Sequence, residues 1–152
     1  SGHHQTDLET AVRGRGLSNV QFRPYQPRDA LRQSLGVADI HWISLRPELE
    51  GLIFPSKFYG IAAAGRPVLM VGDRDSEIGE IISAQDCGVA VAVGDADRLA
   101  TTIADLAANP ARCVEMGRRA RLMLDEQYTR RQAFERWRAV FEKVTPAAVG
   151  QN

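Results

Sequence analysis

The chain has 152 residues, 44% of them hydrophobic and 25% charged, with a formal net charge of +0. This length suits one domain with a substantial core, and the balanced charge argues against nucleic acid as a main partner because duplex binders carry a basic excess. No apolar run approaches the roughly 20 residues that span a bilayer, and the first residues lack the pattern of a signal peptide. Cys87 and Cys113 are far apart in the sequence, which predicts reduced core thiols and a cytoplasmic protein.

The predicted elements alternate from the beginning of the chain. Apolar residues at helical spacing or in alternation predict helix 6–15, strand 19–23, helix 27–38 and strand 39–45. In the last strand, His41 is interpreted as a packed strand residue rather than a ligand. We assign no chemistry to the histidines of segment 1–4.

The middle of the chain, residues 49–71, predicts a loop, a short helix and a buried strand in quick succession. Glu50 and Gly51 lie in the loop, residues 55–57 open the helix, and Gly65 ends it before the strand. A helix start leaves backbone N–H groups free, and the helix dipole favours an anion there. The hypothesis is that this anion is a nucleotide diphosphate.

The second half continues the alternation. Ser76 caps a helix that has Glu77 in its first turn, strand 87–93 is interpreted as buried on both faces, and Asp95 begins the next helix. Two more helices begin at Pro110 and Thr129. The last helix is expected to bury its apolar side chains, which are Ala133, Phe134, Trp137, Val140 and Phe141.

Four short strands that alternate with helices predict a Rossmann-like α/β domain with a parallel sheet. We expect an N-terminal segment and helix over 1–18, this domain over 19–145 and a flexible tail over 146–152. Ligands of such sheets bind beyond the carboxyl ends of the strands. The loops that should converge on one crevice are 23–26, 46–54, 72–76 and 94–95.

Short motifs occur in a fixed order over nearly the whole chain. They are Asn19-Val20-x-Phe22-x-Pro24-Tyr25, Ala38-Asp39-Ile40, Glu50-Gly51-Leu52, Pro55-Ser56-Lys57-Phe58-Tyr59-Gly60, Ala64-Gly65-Arg66-Pro67-Val68, Ser76-Glu77-Ile78, Gly88-Val89-Ala90-Val91 and Met116-Gly117-x-x-Ala120-Arg121. The set resembles the carboxy-terminal, donor-binding domain of retaining glycosyltransferases of family 4, which have the GT-B fold. The sequence of residues 55–60 is similar to that of family members that build bacterial surface polysaccharides.

The resemblance implies a nucleotide-sugar donor in the crevice, with no metal ion and no separate cofactor. By this analogy Glu50 is the catalytic-site residue that touches the sugar hydroxyls. The N–H groups near Gly51 and Leu52 and those of the helix that begins near Ser56 would face the diphosphate, and Lys57 would add a positive charge.

The resemblance also implies positions for the rest of the donor. The turn with Arg23 and Tyr25 would border the base, and Glu77 would lie in the loop that closes the far side. Family members have a ribose-binding glutamate five residues before the glycine that is Gly65 here, but this chain has Gly60 at that position. Ribose recognition would then come from elsewhere, or the base preference would be unusual.

Each of these candidates also has a plain structural interpretation. Glu50 is then a loop acid, Lys57 a solvated helix charge, and Glu77 a first-turn residue favoured by the helix dipole. Tyr25 and Tyr59 are interpreted as packing residues in preference to base-stacking ones.

The resemblance covers part of a GT-B enzyme. The family domain begins with two further strands, which lie between strands 19–23 and 39–45 in the sheet, and an N-terminal acceptor-binding domain precedes it. The fragment would pair its strands directly, borrow a strand from another copy as a homo-oligomer, or leave edges open. In the parent enzyme the expected partners are the donor, a saccharide or lipid-linked acceptor, the N-terminal domain, and the inner face of the membrane through peripheral contact.

We therefore predict the nucleotide-sugar-binding domain of a retaining glycosyltransferase of cell-surface polysaccharide synthesis, weakly active or inactive alone. One alternative is a GT-B-fold nucleotide-sugar epimerase, which would need His41 as an acid or base. Another is a non-enzymatic regulatory module that resembles a receiver domain. Asp73 and Asp75 follow a strand as its phosphoacceptor would, but the acidic cluster at the first strand is absent.

Overall fold

The computed structural model describes residues 5–144, so the expectations for segment 1–4 and tail 146–152 lie outside the described residues. The chain divides into two compact units, with the boundary between Ser34 and Leu35. The first unit contains helix α1 (Gln5–Gly14) and a 3-10 helix (Arg28–Ala30). Helix α2 (Leu31–Val37) begins in the first unit and ends in the second.

The strand expected at residues 19–23 does not form, so this prediction is wrong. The segment is exposed and irregular, and Val20 and Phe22 are each 40% exposed. Within the described residues, no backbone hydrogen bond joins this segment to another strand. A strand needs a paired neighbour and a covered apolar face, and this segment has neither.

The second unit is built on a parallel sheet of three strands in the order β1 (His41–Ser44), β2 (Val68–Val71), β3 (Gly88–Val91). The central strand β2 is nearly fully buried. Helices flank this sheet, which confirms the expected Rossmann-like α/β class. Strand β3 is only half-buried because it is an edge strand, so the expectation that it is buried on both faces is wrong.

Within the described residues, a 3-10 helix (Pro47–Leu49) and five α-helices follow β1 in the second unit. The α-helices are α3 (Lys57–Ala63), α4 (Glu77–Gln85), α5 (Ala96–Ala108), α6 (Pro110–Gln127) and α7 (Arg130–Val144). Two of the predicted caps are formed, since the side chain of Ser76 accepts the N–H of Gly79 and that of Asp95 accepts the N–H of Arg98. No helix within residues 5–144 is long and apolar enough to cross a membrane.

The main core lies between the sheet and helices α3, α4 and α6. Phe58, Met70 and Ile82 are its fully buried centre. Helix α6 approaches the end of α3 closely, because Gly117 packs against the backbone of Gly65. The core fixes the strands and therefore the loops at their carboxyl ends.

The expectation that the last helix buries its apolar side chains is wrong. Phe134, Trp137 and Phe141 on α7 are 60%, 61% and 59% exposed. Trp137 stacks on Phe141, and the guanidinium of Arg130 lies over the ring of Phe134. In the described part of the chain these two contacts stay within the helix, and all three rings remain more than half exposed.

Candidate functional site

The candidate site lies at the carboxyl ends of β1 and β2. The chain after β1 forms a 3-10 helix, Pro47–Leu49, and then reaches Glu50. The chain after β2 forms the loop 72–76, which leads into α4. Because the two strands are parallel neighbours, both loops emerge at the same edge of the sheet.

Glu50 joins these two loops. Its side chain is half-buried, and its Oε1 accepts the backbone N–H of Asp73 at 3.0 Å. A charged acceptor makes this type of bond stronger than a neutral one. Sequence analysis missed this role of Asp73, since the two residues are 23 positions apart and neither pattern indicates the pairing.

The loop 73–76 is built from local hydrogen bonds. The Ser76 hydroxyl donates to the carbonyl oxygen of Asp73 at 2.6 Å, and the Asp75 N–H donates to Oδ1 of Asp73 at 3.0 Å. A side chain at Gly79 would overlap the carbonyl group of Arg74. Gly79 therefore allows the loop to pack directly on the first turn of α4, a role that sequence analysis also missed.

A small cavity of about 260 Å³ opens beside Glu50. It brings together four of the site residues predicted from the sequence, Glu50, Gly51, Leu52 and Glu77. The lining residues carry two carboxylates and no cation. They are Leu45, Glu50, Gly51, Leu52, Ile53, Phe54, Pro55, Ser76, Glu77 and Ile78.

A larger cavity of about 980 Å³ also contacts Glu50. It extends along β3 to the first turns of α5 and α6. Its charged lining residues are Arg74, Arg98 and Arg112 together with Glu50, Asp73, Asp75, Asp86 and Asp95. Three cations therefore meet five carboxylates, so this cavity also has an acidic excess.

Of the residues predicted to face a diphosphate, Gly51 and Leu52 line the small cavity, whereas Ser56 and Lys57 do not. Gly51 has a φ of +74°, and the N–H of Leu52 donates to the carbonyl oxygen of Leu49 at 3.2 Å. Ser56 and Lys57 are exposed at the start of α3, and neither lines the two cavities. Helix α3 has only seven residues, and the N–H of Phe58 in its first turn already donates to the carbonyl oxygen of Pro55 at 2.9 Å.

The remaining predicted residues are Gly60, Arg23 and Tyr25. Gly60 is half-buried within α3. Arg23 and Tyr25 belong to the first unit, where the Arg23 guanidinium donates to the Gln21 side chain at 2.7 Å. The packing interpretation of Tyr25 is wrong because this side chain is 94% exposed.

The packing interpretation of Tyr59 is confirmed. Its ring stacks on Phe54 with centroids 5.0 Å apart and contacts Phe58 and Tyr128. Burial, followed by the effects of Tyr128 and Glu77, raises the pKa of the Tyr59 hydroxyl.

His41 and the cysteines are packed as expected. Nε2 of His41 is 2.8 Å from the carbonyl oxygen of Leu35 and the ring is half-buried, which confirms the interpretation as a strand residue. Cys87 and Cys113 are free and buried. Burial raises the pKa of the Cys87 thiol to about 11. Across residues 5–144, no group of three His, Cys, Asp or Glu side chains is arranged to hold a metal ion.

Comparison with known proteins shows a similarity to a glycosyltransferase. A stretch of 92 residues, 60% of this chain, is 32% identical to WcaI of Escherichia coli (strain K12), named as a candidate colanic acid biosynthesis glycosyl transferase. This relates the chain to a glycosyltransferase. The matched stretch covers 22% of the length of WcaI. No family model matches the chain.

Proposed function

We propose that this chain is the nucleotide-sugar-binding part of a retaining glycosyltransferase of family 4 with the GT-B fold. Its acceptor would be a saccharide or a lipid-linked saccharide. The relationship to WcaI favours this class over an epimerase or a regulatory module, and the name of that relative favours surface polysaccharide synthesis. The observation that carries the proposal is the small acid-lined cavity beside Glu50.

The charges of this cavity fit the sugar better than the phosphates. Carboxylates such as Glu50 and Glu77 accept hydrogen bonds from hydroxyl groups. The lining residues offer no cation to a phosphate. A neutral molecule with many hydroxyl groups is therefore the ligand that this cavity favours.

The size of the cavity supports the same assignment. Its volume of about 260 Å³ is below the roughly 300–1,000 Å³ of sites that enclose drug-sized ligands. One sugar ring would fit inside, and the rest of the donor would extend beyond the cavity. We assign Lys57 to the diphosphate, and we assign no acid, base, nucleophile, metal ion or cofactor.

The proposal is tested by calorimetric titration at fixed salt with UDP, GDP and ADP, each free and as its glucose conjugate. One conjugate should bind in the micromolar to millimolar range, and more tightly than its free diphosphate. The excess affinity measures the contribution of the sugar. Binding by none of the six compounds to the folded protein would contradict the proposal.

A matched pair of variants tests whether the excess affinity for the glucose conjugate over the free diphosphate comes from the cavity. Glu77 and Glu80 both lie in the first turn of α4 and both are exposed, but only Glu77 lines the cavity. Glu77→Ala should reduce the affinity for the conjugate and leave that for the free diphosphate nearly unchanged. Glu80→Ala should change neither. Equal effects of the two substitutions on the affinity for the conjugate would contradict the assignment of the sugar to this cavity.

A further inference from the structure

A continuous chain of three hydrogen bonds connects the loop after β1 to the start of α4. Oε1 of Glu50 accepts the Asp73 N–H at 3.0 Å. The Asp73 carbonyl oxygen accepts the Ser76 hydroxyl at 2.6 Å, and the Ser76 oxygen accepts the Gly79 N–H at 3.3 Å. The first turn of α4, which contains Glu77, is therefore tied to Glu50 through Asp73.

Glu50 lines both cavities, and Asp73 lines the larger one. Asp73 and its neighbours Arg74 and Asp75 are exposed. The side chain of Glu50 bonds this loop to the chain after β1. The loop also continues directly from β2, where the Gly72 N–H donates to the carbonyl oxygen of Val91 at 3.0 Å. The Glu50 bond adds a tie to the chain after β1.

We propose that Glu50 is a positioning residue, which holds the loop 73–76 through the Asp73 N–H so that Glu77 faces the small cavity. This inference rests on the proposed function. A carboxylate has two oxygen atoms. Oε1 is used by Asp73, and Oε2 has no hydrogen-bond partner within the described residues. Glu50 can therefore hold the loop and still accept a sugar hydroxyl.

The two roles of Glu50 are separated by changing Asp73 instead. Asp73→Pro removes the N–H and leaves the Glu50 carboxylate intact, whereas Asp73→Ala keeps the N–H. The measured quantity is the affinity for the glucose conjugate divided by that for the free diphosphate. We expect Asp73→Pro to lower this ratio about tenfold, the effect of losing one charge-assisted bond, and Asp73→Ala to lower it less.

Conservative replacement of Glu50 gives a second test. The amide oxygen of Glu50→Gln can still accept the Asp73 N–H. The affinity ratio should therefore fall much less in Glu50→Gln than in Glu50→Ala. The losses in Glu50→Ala and Asp73→Pro should not add in the double variant, because both break one bond. An unchanged ratio in Asp73→Pro together with a lowered ratio in Glu50→Ala would overturn the inference.

Hydrogen exchange at the Asp73 amide, measured by NMR, provides a readout that needs no ligand. It also covers the case in which Asp73→Pro does not fold. Exchange should be faster in Glu50→Ala than in the wild type, and close to the wild type in Glu50→Gln. Equal exchange in all three proteins would overturn the inference. A wild type that binds no nucleotide but shows this exchange pattern would contradict the proposed function alone.

Discussion

Gly117 lies where the structure leaves no room for a side chain. It lies on α6 where that helix meets the end of α3, and a Cβ at this position would overlap the backbone oxygen of Gly65. Gly60 within α3 is different, since a Cβ there would lie 3.5 Å from Cδ1 of Leu35, an ordinary contact distance.

We predict opposite effects for alanine at these two glycines. Gly117→Ala should lower the free energy of unfolding by about 1–3 kcal/mol, because backbone atoms must move apart. Gly60→Ala should raise it by roughly 0.5–1 kcal/mol, because alanine restricts the unfolded chain and favours a helix. Urea denaturation measures both, and a shift of the same sign in the two variants would contradict the packing described here.

Glu115 on α6 gives a prediction for acid pH. Hydrogen bonds from Arg118 and Arg119 lower the pKa of its carboxyl group from 4.5 to about 2. A lowered pKa stabilises the fold above pH 4.5, and this contribution is lost as the pH falls from 4.5 towards 2. Urea denaturation of the wild type and Glu115→Gln should therefore show a stability difference that shrinks over this interval. A difference independent of pH would contradict the ion pairs.

Among the helices and strands, features set by adjacent residues were predicted better than features that depend on distant parts of the chain. The starts of α4, α5 and α6 were predicted correctly, because a cap at Ser76 or Asp95 and a proline at position 110 act on the adjacent turn. The strand at 19–23 and the burial of α7 were predicted wrongly. Both depend on a neighbour that pairs with or covers the element, and periodicity does not identify that neighbour.

The different surroundings of α3 and α7 can be measured with two aromatic residues. Phe58 on α3 is fully buried, whereas Trp137 on α7 is 61% exposed. Phe58→Ala should lower the free energy of unfolding by about 3–5 kcal/mol. Trp137→Ala should change it by no more than about 0.5 kcal/mol. Comparable losses in the two variants would show that α7 packs on the core.

At the scale of the whole molecule, parallel topology explains why part of the site could be predicted. Glu50, Gly51 and Leu52 lie in the loop after β1, and Glu77 begins α4 directly after the loop that follows β2. The structure brings all four to one cavity. The contact of Glu50 with the Asp73 N–H could not be predicted, because it depends on the orientation of one peptide group in a distant loop. The acidic excess of both cavities likewise emerges only when the loops are placed together.

NMR chemical-shift mapping can locate the sugar on the protein directly. The glucose conjugate and the free diphosphate of the preferred base are titrated separately, and the two sets of amide shifts are subtracted. We expect the remaining differences to concentrate at residues 50–54 and 76–78, which line the small cavity. Differences concentrated elsewhere would contradict the assignment of this cavity to the donor sugar.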